Sequence, residues 1–234
     1  DITFGDLWGL RDTETEVMAI GGSGDEKVVS VSLLDPRPDP EYFKITVLDP
    51  ATGTVEASLD IPQSNEYASA LSVASIGGGR LALTWNSSYS RQTSDVLLRL
   101  IDISDAGGST TISLDAGDIT GETVIGNAGG SGIDPYPSVE KISDNKFVVT
   151  WSDSPAGSSL NEDDHINAQI FDSAGNAIGS AFEVTQSGHT WVRTTSILDL
   201  PNDQFAIAFD GSDENGFRIY NDEGVAQTDV IPID

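Results

Sequence analysis

Phe147-Val148-Val149-Thr150-Trp151 is the phrase that decides the fold. Positions one, three and five are large and apolar, and positions two and four are smaller or hydroxylated. A period of two is the mark of a β-strand with two distinct faces. Neither face is charged, so the strand belongs at the centre of a sheet covered on both sides. Leu81-Ala82-Leu83-Thr84-Trp85 and Phe205-Ala206-Ile207-Ala208-Phe209 repeat the pattern closely, and Val29-Ser30-Val31-Ser32-Leu33 repeats it more weakly. The starts of the four phrases lie 52, 66 and 58 residues apart. That spacing is somewhat longer than the roughly 40–50 residues of common propeller blades.

A second phrase follows each first one: Ile45 to Asp49, Leu98 to Asp102, Ala168 to Asp172 and Phe217 to Asn221. Each ends in Asp or Asn, and Gly53, Gly107, Gly175 or Gly224 comes soon after. An Asx side chain opens a turn by accepting backbone N–H groups, and glycine supplies the positive φ that closes it. Each phrase therefore leads through a hairpin into another strand: Val55 to Ile61, Thr110 to Leu114, Ala181 to Thr185 and Val225 to Ile231. A first strand precedes each central phrase, at Thr15 to Ile20, Ala70 to Ile76, Ser138 to Ile142 and Thr194 to Leu200. The unit is thus four antiparallel strands, and a sheet with two apolar faces must be covered by copies of itself.

The reading is an all-β, β-propeller-like chain with four blades of four antiparallel strands and almost no helix. The blades span about 13–64, 67–116, 137–186 and 190–234. Residues 1–12 form an N-terminal closing segment, with Ile2-Thr3-Phe4 pairing near Val230, and 117–136 is an insertion between blades. A β-sandwich is the competing fold, but it would show cleaner alternation of apolar and polar faces.

The charge balance bounds the partners. There are 38 acidic and 11 basic residues, for a formal net charge of -27. Such a surface repels nucleic acid and anionic membranes, both of which reward Lys and Arg, and it favours hard cations held by oxygen. The absence of cysteine excludes disulfides and thiolate metal sites. No apolar run approaches the roughly 18 residues of a membrane-spanning helix. The chain opens at Asp1 with no methionine and no signal-peptide pattern, as a processed or excised product would.

Pro137-Ser138-Val139, then Asn145 to Asp153, Ala168-Gln169-Ile170-Phe171-Asp172 and Phe182-Glu183-Val184-Thr185 together resemble the propeller-like repeats of large secreted bacterial RTX, hemolysin-type calcium-binding proteins. The third unit carries the resemblance best, the second and fourth in part, the first faintly. It implies a secreted, extracellular bacterial location, calcium dependence and an adhesive or spacer role. It brings no catalytic residues. Gly129-Gly130-Ser131-Gly132-Ile133-Asp134 matches the start of the calcium-binding nonapeptide, but only once, where stacked copies are needed to share each ion.

Candidate sites follow from the repeat. The loop after each central strand is acidic, and in a ring of blades these loops emerge at one end. Asp153, Asp163, Asp164, Asp210 and Asp213 are the candidate ligands, with Ca²⁺ as the ion they would take. Trp85 and Trp151 share the slot of Leu33 and Phe209 and pack between blades. Trp8 and Trp191 are freer of the repeat and are the candidate platforms for a carbohydrate. His165 and His189 do not make the three-ligand set of a catalytic zinc site, and no nucleophile elbow is present. The expectation is a secreted, non-catalytic structural or adhesive module, calcium-stabilised and open to oligomerisation. A lectin-like propeller taking a cell-surface glycan is the alternative, with an extracellular glycoside or ester hydrolase third.

Overall fold

Alternating β-branched and aromatic residues between Gly- and Asx-rich turns give antiparallel hairpins throughout the chain. The computed structural model describes residues 14–21, 26–34, 41–62, 68–90, 93–106, 109–114, 123–128, 136–153, 164–185, 192–211 and 215–233. Among them are strands and turns but no helix, and hence no helix able to cross a membrane.

The strands fall into four sheets that follow the chain in order. Blade 1 holds β1 (Glu14–Ile20), β2 (Lys27–Leu34), β3 (Tyr42–Leu48) and β4 (Val55–Pro62). Blade 2 holds β5 (Ala68–Gly77), β6 (Arg80–Ser90), β7 (Thr93–Ala106), β8 (Ser109–Leu114) and β9 (Thr123–Ala128). Blade 3 holds β10 (Ser138–Ser143), β11 (Lys146–Asp153), β12 (His165–Asp172) and β13 (Ala177–Glu183). Blade 4 holds β14 (Arg193–Leu200), β15 (Gln204–Asp210), β16 (Asn215–Asn221) and β17 (Ile231–Pro232). The fold is all-β and propeller-like, with neighbouring strands antiparallel in every blade.

Two details correct the sequence reading. The insertion assigned to 117–136 supplies β9, which pairs with the first part of β7 (Leu97 with Val124), while β8 pairs with the second part (Ile103 with Ile112). A 14-residue β7 is long enough to seat both end to end. The last strand is two residues rather than Val225 to Ile231, because Val225 and Ala226 turn back on β16 through one isolated bridge to Tyr220.

Three hydrophobic cores lie between the four sheets. Val29, Val31 and Phe43 of blade 1 meet Leu81, Leu83 and Trp85 of blade 2. Val96 and Leu98 of blade 2 meet Phe147, Val149 and Trp151 of blade 3. Val148, Ile166 and Ile170 of blade 3 meet Phe205, Ile207 and Phe209 of blade 4. Trp85 and Trp151 are buried, as their slot in the repeat requires. The Phe43 ring meets Trp85 edge-on at 5.0 Å, an arrangement worth about 0.5–1.5 kcal/mol beyond the area it buries.

The expectation of sheets dry on both faces holds only in the middle. Every residue of β11 from Phe147 to Ser152 is buried, and so is Leu81 to Ser87 of β6. In blades 1 and 4 burial alternates: Val29, Val31 and Leu33 are covered while Ser30 and Ser32 are not fully so, and Phe205, Ile207 and Phe209 are covered while Ala206 and Ala208 are partly open. The weaker apolar character of the first phrase, with serines at two of its five positions, is the sequence trace of that open face.

Adjacent blades are also latched by polar contacts. Within blades 2, 3 and 4 the amides of Ile103, Ser173 and Asp222 donate to the carbonyls of Gly79, Asn145 and Asp203, which ties the first turn of each blade to its third strand or the turn after it, while side chains reach from one blade to the next. Arg80, ion-paired with Asp102 at 2.6 Å, donates onward to the Ser173 carbonyl of blade 3. Lys146 reaches the carbonyl and carboxylate of Asp222 in blade 4.

Candidate functional site

The first strands of all four blades converge on a cleft of about 510 Å³. It is lined by Glu14, Thr15 and Glu16 at the start of β1, by Ala70, Leu71 and Ser72 of β5, by Tyr136, Pro137 and Ser138 leading into β10, and by Thr194 of β14. Since β1, β5 and β10 pack in sequence around this point, as do β10 and β14, the cleft marks the axial end of the arc. It comes from equivalent positions of the repeat.

Local geometry at the cleft is built by a carboxylate. A bulge interrupts the β5–β6 pairing between Ser69 and Ser72, and within it Ala70 adopts a φ of 54°. Bulges free backbone amides from the ladder, and here both find Glu14. Ala70 N–H donates to Oε1 at 3.1 Å and Leu71 N–H to Oε2 at 2.5 Å. Glu41 of blade 1 likewise takes the Ala68 amide at 2.7 Å. The next junction is made by Ser72, whose Oγ accepts the Val139 amide of blade 3 at 3.1 Å.

Tyr136 is the residue this arrangement offers outward. It has a φ of 34°, in the region that L side chains rarely enter, and its side chain stays 45% exposed at the cleft. A non-glycine residue held at positive φ is strained, and such positions cluster where a side chain is aimed at a ligand. The Thr194 hydroxyl is buried in the opposite wall with no hydrogen-bond partner among the described residues. The described lining therefore carries two carboxylates, several hydroxyls and one open aromatic ring, with no cation. It suits a neutral or cationic, hydroxyl-rich ligand and disfavours an anion.

Of the residues singled out from sequence, Asp153, Asp164 and Asp210 lie at this same end, beyond the second strands. Asp153 accepts the Asn167 amide at 3.3 Å. Asp164 is buried just before β12, and Asp210 ends β15 opposite Asn215. Among the described residues no three acidic or histidine side chains come close enough to hold a metal ion. Asp163, Asp213, Trp8 and Trp191 fall outside the described residues, as do His189, Ile2 to Phe4 and the calcium-repeat fragment beginning at Gly129. His165 pairs through Nδ1 with Glu183 at 2.8 Å.

Sequence reasoning missed the cleft residues. Glu14, Ser138 and Thr194 are unremarkable as residue types, and their common signal is position, each at the start of a blade's first strand. Tyr136 falls in the 117–136 stretch that reads as an insertion between blades.

The fold thus defines an open β-propeller-like domain with an axial cleft. No family model matches the chain, and no curated protein does. Solved structures similar to it include a point mutant of the NanB sialidase from Streptococcus pneumoniae, at 14% identity and a TM-score of 0.44, covering 92% of this chain and 29% of that one. The NanB sialidase of the same organism bound to a small ethanesulfonate ligand aligns at 12% identity and a TM-score of 0.46, covering 92% and 30%. The chain spans less than a third of the length of either. Both similar structures are of enzymes, which leaves the expectation of a non-catalytic chain without support.

Proposed function

We propose that the axial cleft is a glycan-binding site and that the chain is a ligand-binding propeller module working outside the bacterial cell. The exposed, backbone-strained Tyr136 on a cleft shared by all four first strands carries the reading. An aromatic face packs on the C–H groups of a pyranose ring, while Glu16, Ser138 and Thr15 supply acceptors and donors for its hydroxyls. The acidic lining selects neutral or amine-bearing sugars over acidic ones. The extracellular setting rests on the resemblance of the third repeat and on a Cys-free, strongly acidic composition.

Calorimetric titration with a panel of neutral, amine-bearing and acidic oligosaccharides tests this. Binding should appear in the first two groups, and Tyr136→Ala should weaken it about tenfold, the equivalent of about 1.4 kcal/mol. Silence across the panel, or affinity untouched by Tyr136→Ala, sinks the assignment. Product analysis on the same panel records any turnover.

A further inference from the structure

Four sheets stacked in series have two outer faces, and the described residues form three interfaces between neighbouring sheets. Among the described residues, no apolar cluster joins blade 4 to blade 1. The far face of blade 4 presents Leu198, 58% exposed, and Ile231, with Ala206, Ala208, Phe217 and Ile219 half-buried between them. The pairing places all six on one side, opposite Phe205, Ile207 and Phe209. The far face of blade 1 presents Val17, 63% exposed and opposite Ser30, and Val55, opposite Leu48.

Two repeated contacts show what each end lacks. The glycine of the Asx turn leans on the preceding blade: a Cβ on Gly175 would lie 3.1 Å from Leu100 of blade 2, and one on Gly224 would lie 2.7 Å from Phe182 of blade 3. The equivalent Gly53 of blade 1 has nothing within 4 Å. In the other direction, Arg80 and Lys146 each donate to the carbonyl just after the Asx residue of the following blade. Gln204 holds the same register in blade 4, paired with Asn221 as Arg80 is with Asp102 and Lys146 with Asp172. Among the described residues, nothing packs where a preceding blade would meet blade 1 or a following blade would meet blade 4, and each outer face offers the contacts that the other would take.

We propose that copies of this chain associate head to tail, the outer face of blade 4 in one packing on the outer face of blade 1 in the next. The interface continues the three already in the fold. Gln204 of one copy takes the Pro50 carbonyl of the other, as Arg80 takes Ser173. Two copies arranged so satisfy both ends of each and close a cyclic dimer, since a heterologous contact either closes a ring or runs on as a filament. The net charge of -27 opposes the contact at low salt, and screening removes that opposition.

Sedimentation of the 234-residue chain over a range of concentrations in about 0.15 M salt, where the Debye length is about 8 Å, tests the proposal. Species of two or more chains are expected. Leu198→Asp and Val17→Asp each reduce the mass to that of one chain while leaving the circular dichroism spectrum unchanged, since both side chains are exposed. Mixing the two variants restores a two-chain species, because one brings an intact blade 1 face and the other an intact blade 4 face. A monomer at every concentration overturns the proposal, as does an oligomer indifferent to both substitutions. Association that appears only after residues 1–13 are deleted overturns it too, since that segment is then the occupant of the face.

Discussion

Tyr220 shows how one buried side chain couples two blades and gives the fold a pH limit. Its ring stacks on Phe205 at 5.5 Å within blade 4 and tilts against Phe182 of blade 3 at 5.1 Å. Its hydroxyl donates to the Val184 carbonyl over a long 3.4 Å. Burial pushes the phenol up from 10.0 to about 12, against the opposing pull of Arg218. The folded state thus holds this proton more tightly than the unfolded chain does. The stabilisation is complete below pH 10 and drains away as pH rises through 12. A two-unit difference corresponds to about 2–3 kcal/mol by linkage. Thermal melts between pH 9 and 12 should show a steep loss of Tm in the wild type and a shallower one in Tyr220→Phe. Identical slopes would mean that another group sets the alkaline limit.

The recurring element is the hairpin around an Asx residue that follows the third strand of blades 1, 3 and 4. Asp172 accepts the amides of Ala174 and Asn176 and the side-chain amide of Asn176. The Asn176 side chain first, then the backbone amides, hold its carboxyl below the ordinary value. Asn221 does the same work uncharged, taking the amides of Glu223 and Val225. The following glycine has two tasks, and only one was legible in the sequence. Positive φ could be read from the Asx-Gly spacing, but that Gly224 must also leave room for Phe182 of the preceding blade could not, because the contact spans two repeats. Gly224→Ala should therefore cost more than the roughly 1 kcal/mol of a left-handed alanine. Gly53→Ala, with the same sign of φ and open space around it, should cost only that. Chemical denaturation of the two variants measures the difference, and equal losses would show that the blade-to-blade wedge carries no weight. The strand phrases were legible for a related reason: a period of two survives in any environment. Burial of the second face was not, since it depends on whether a neighbouring blade exists. The cleft was illegible because its residues share a position in the repeat and no residue type.

At the scale of the whole molecule, three interfaces and a large excess of like charge act against each other. The cores are shared between sheets, so no blade has a private core. Among the described residues the acidic side chains are mostly not buried, and the mutual repulsion of so many like charges is relieved on unfolding as the chain expands. Only a few cations offset it within the described residues, among them Lys27 on Glu56 at 2.7 Å and Lys44 on Asp60 at 3.2 Å. Exposed pairs of this kind contribute little. Screening should then act chiefly on the repulsion, and the chain should gain stability as salt rises, by several degrees of Tm between about 0.02 and 0.5 M NaCl, over which the Debye length falls from roughly 20 to 4 Å. Magnesium at matched ionic strength should do the same. Calcium at that ionic strength separates the two ways acidic loops respond to cations. A rise equal to that of magnesium is general screening, whereas an excess that grows with the logarithm of calcium concentration is the linkage signature of a bound ion. If the loops carrying Asp163 and Asp213 form the calcium sites their composition suggests, replacing both with Asn removes the excess and leaves the sodium response unchanged.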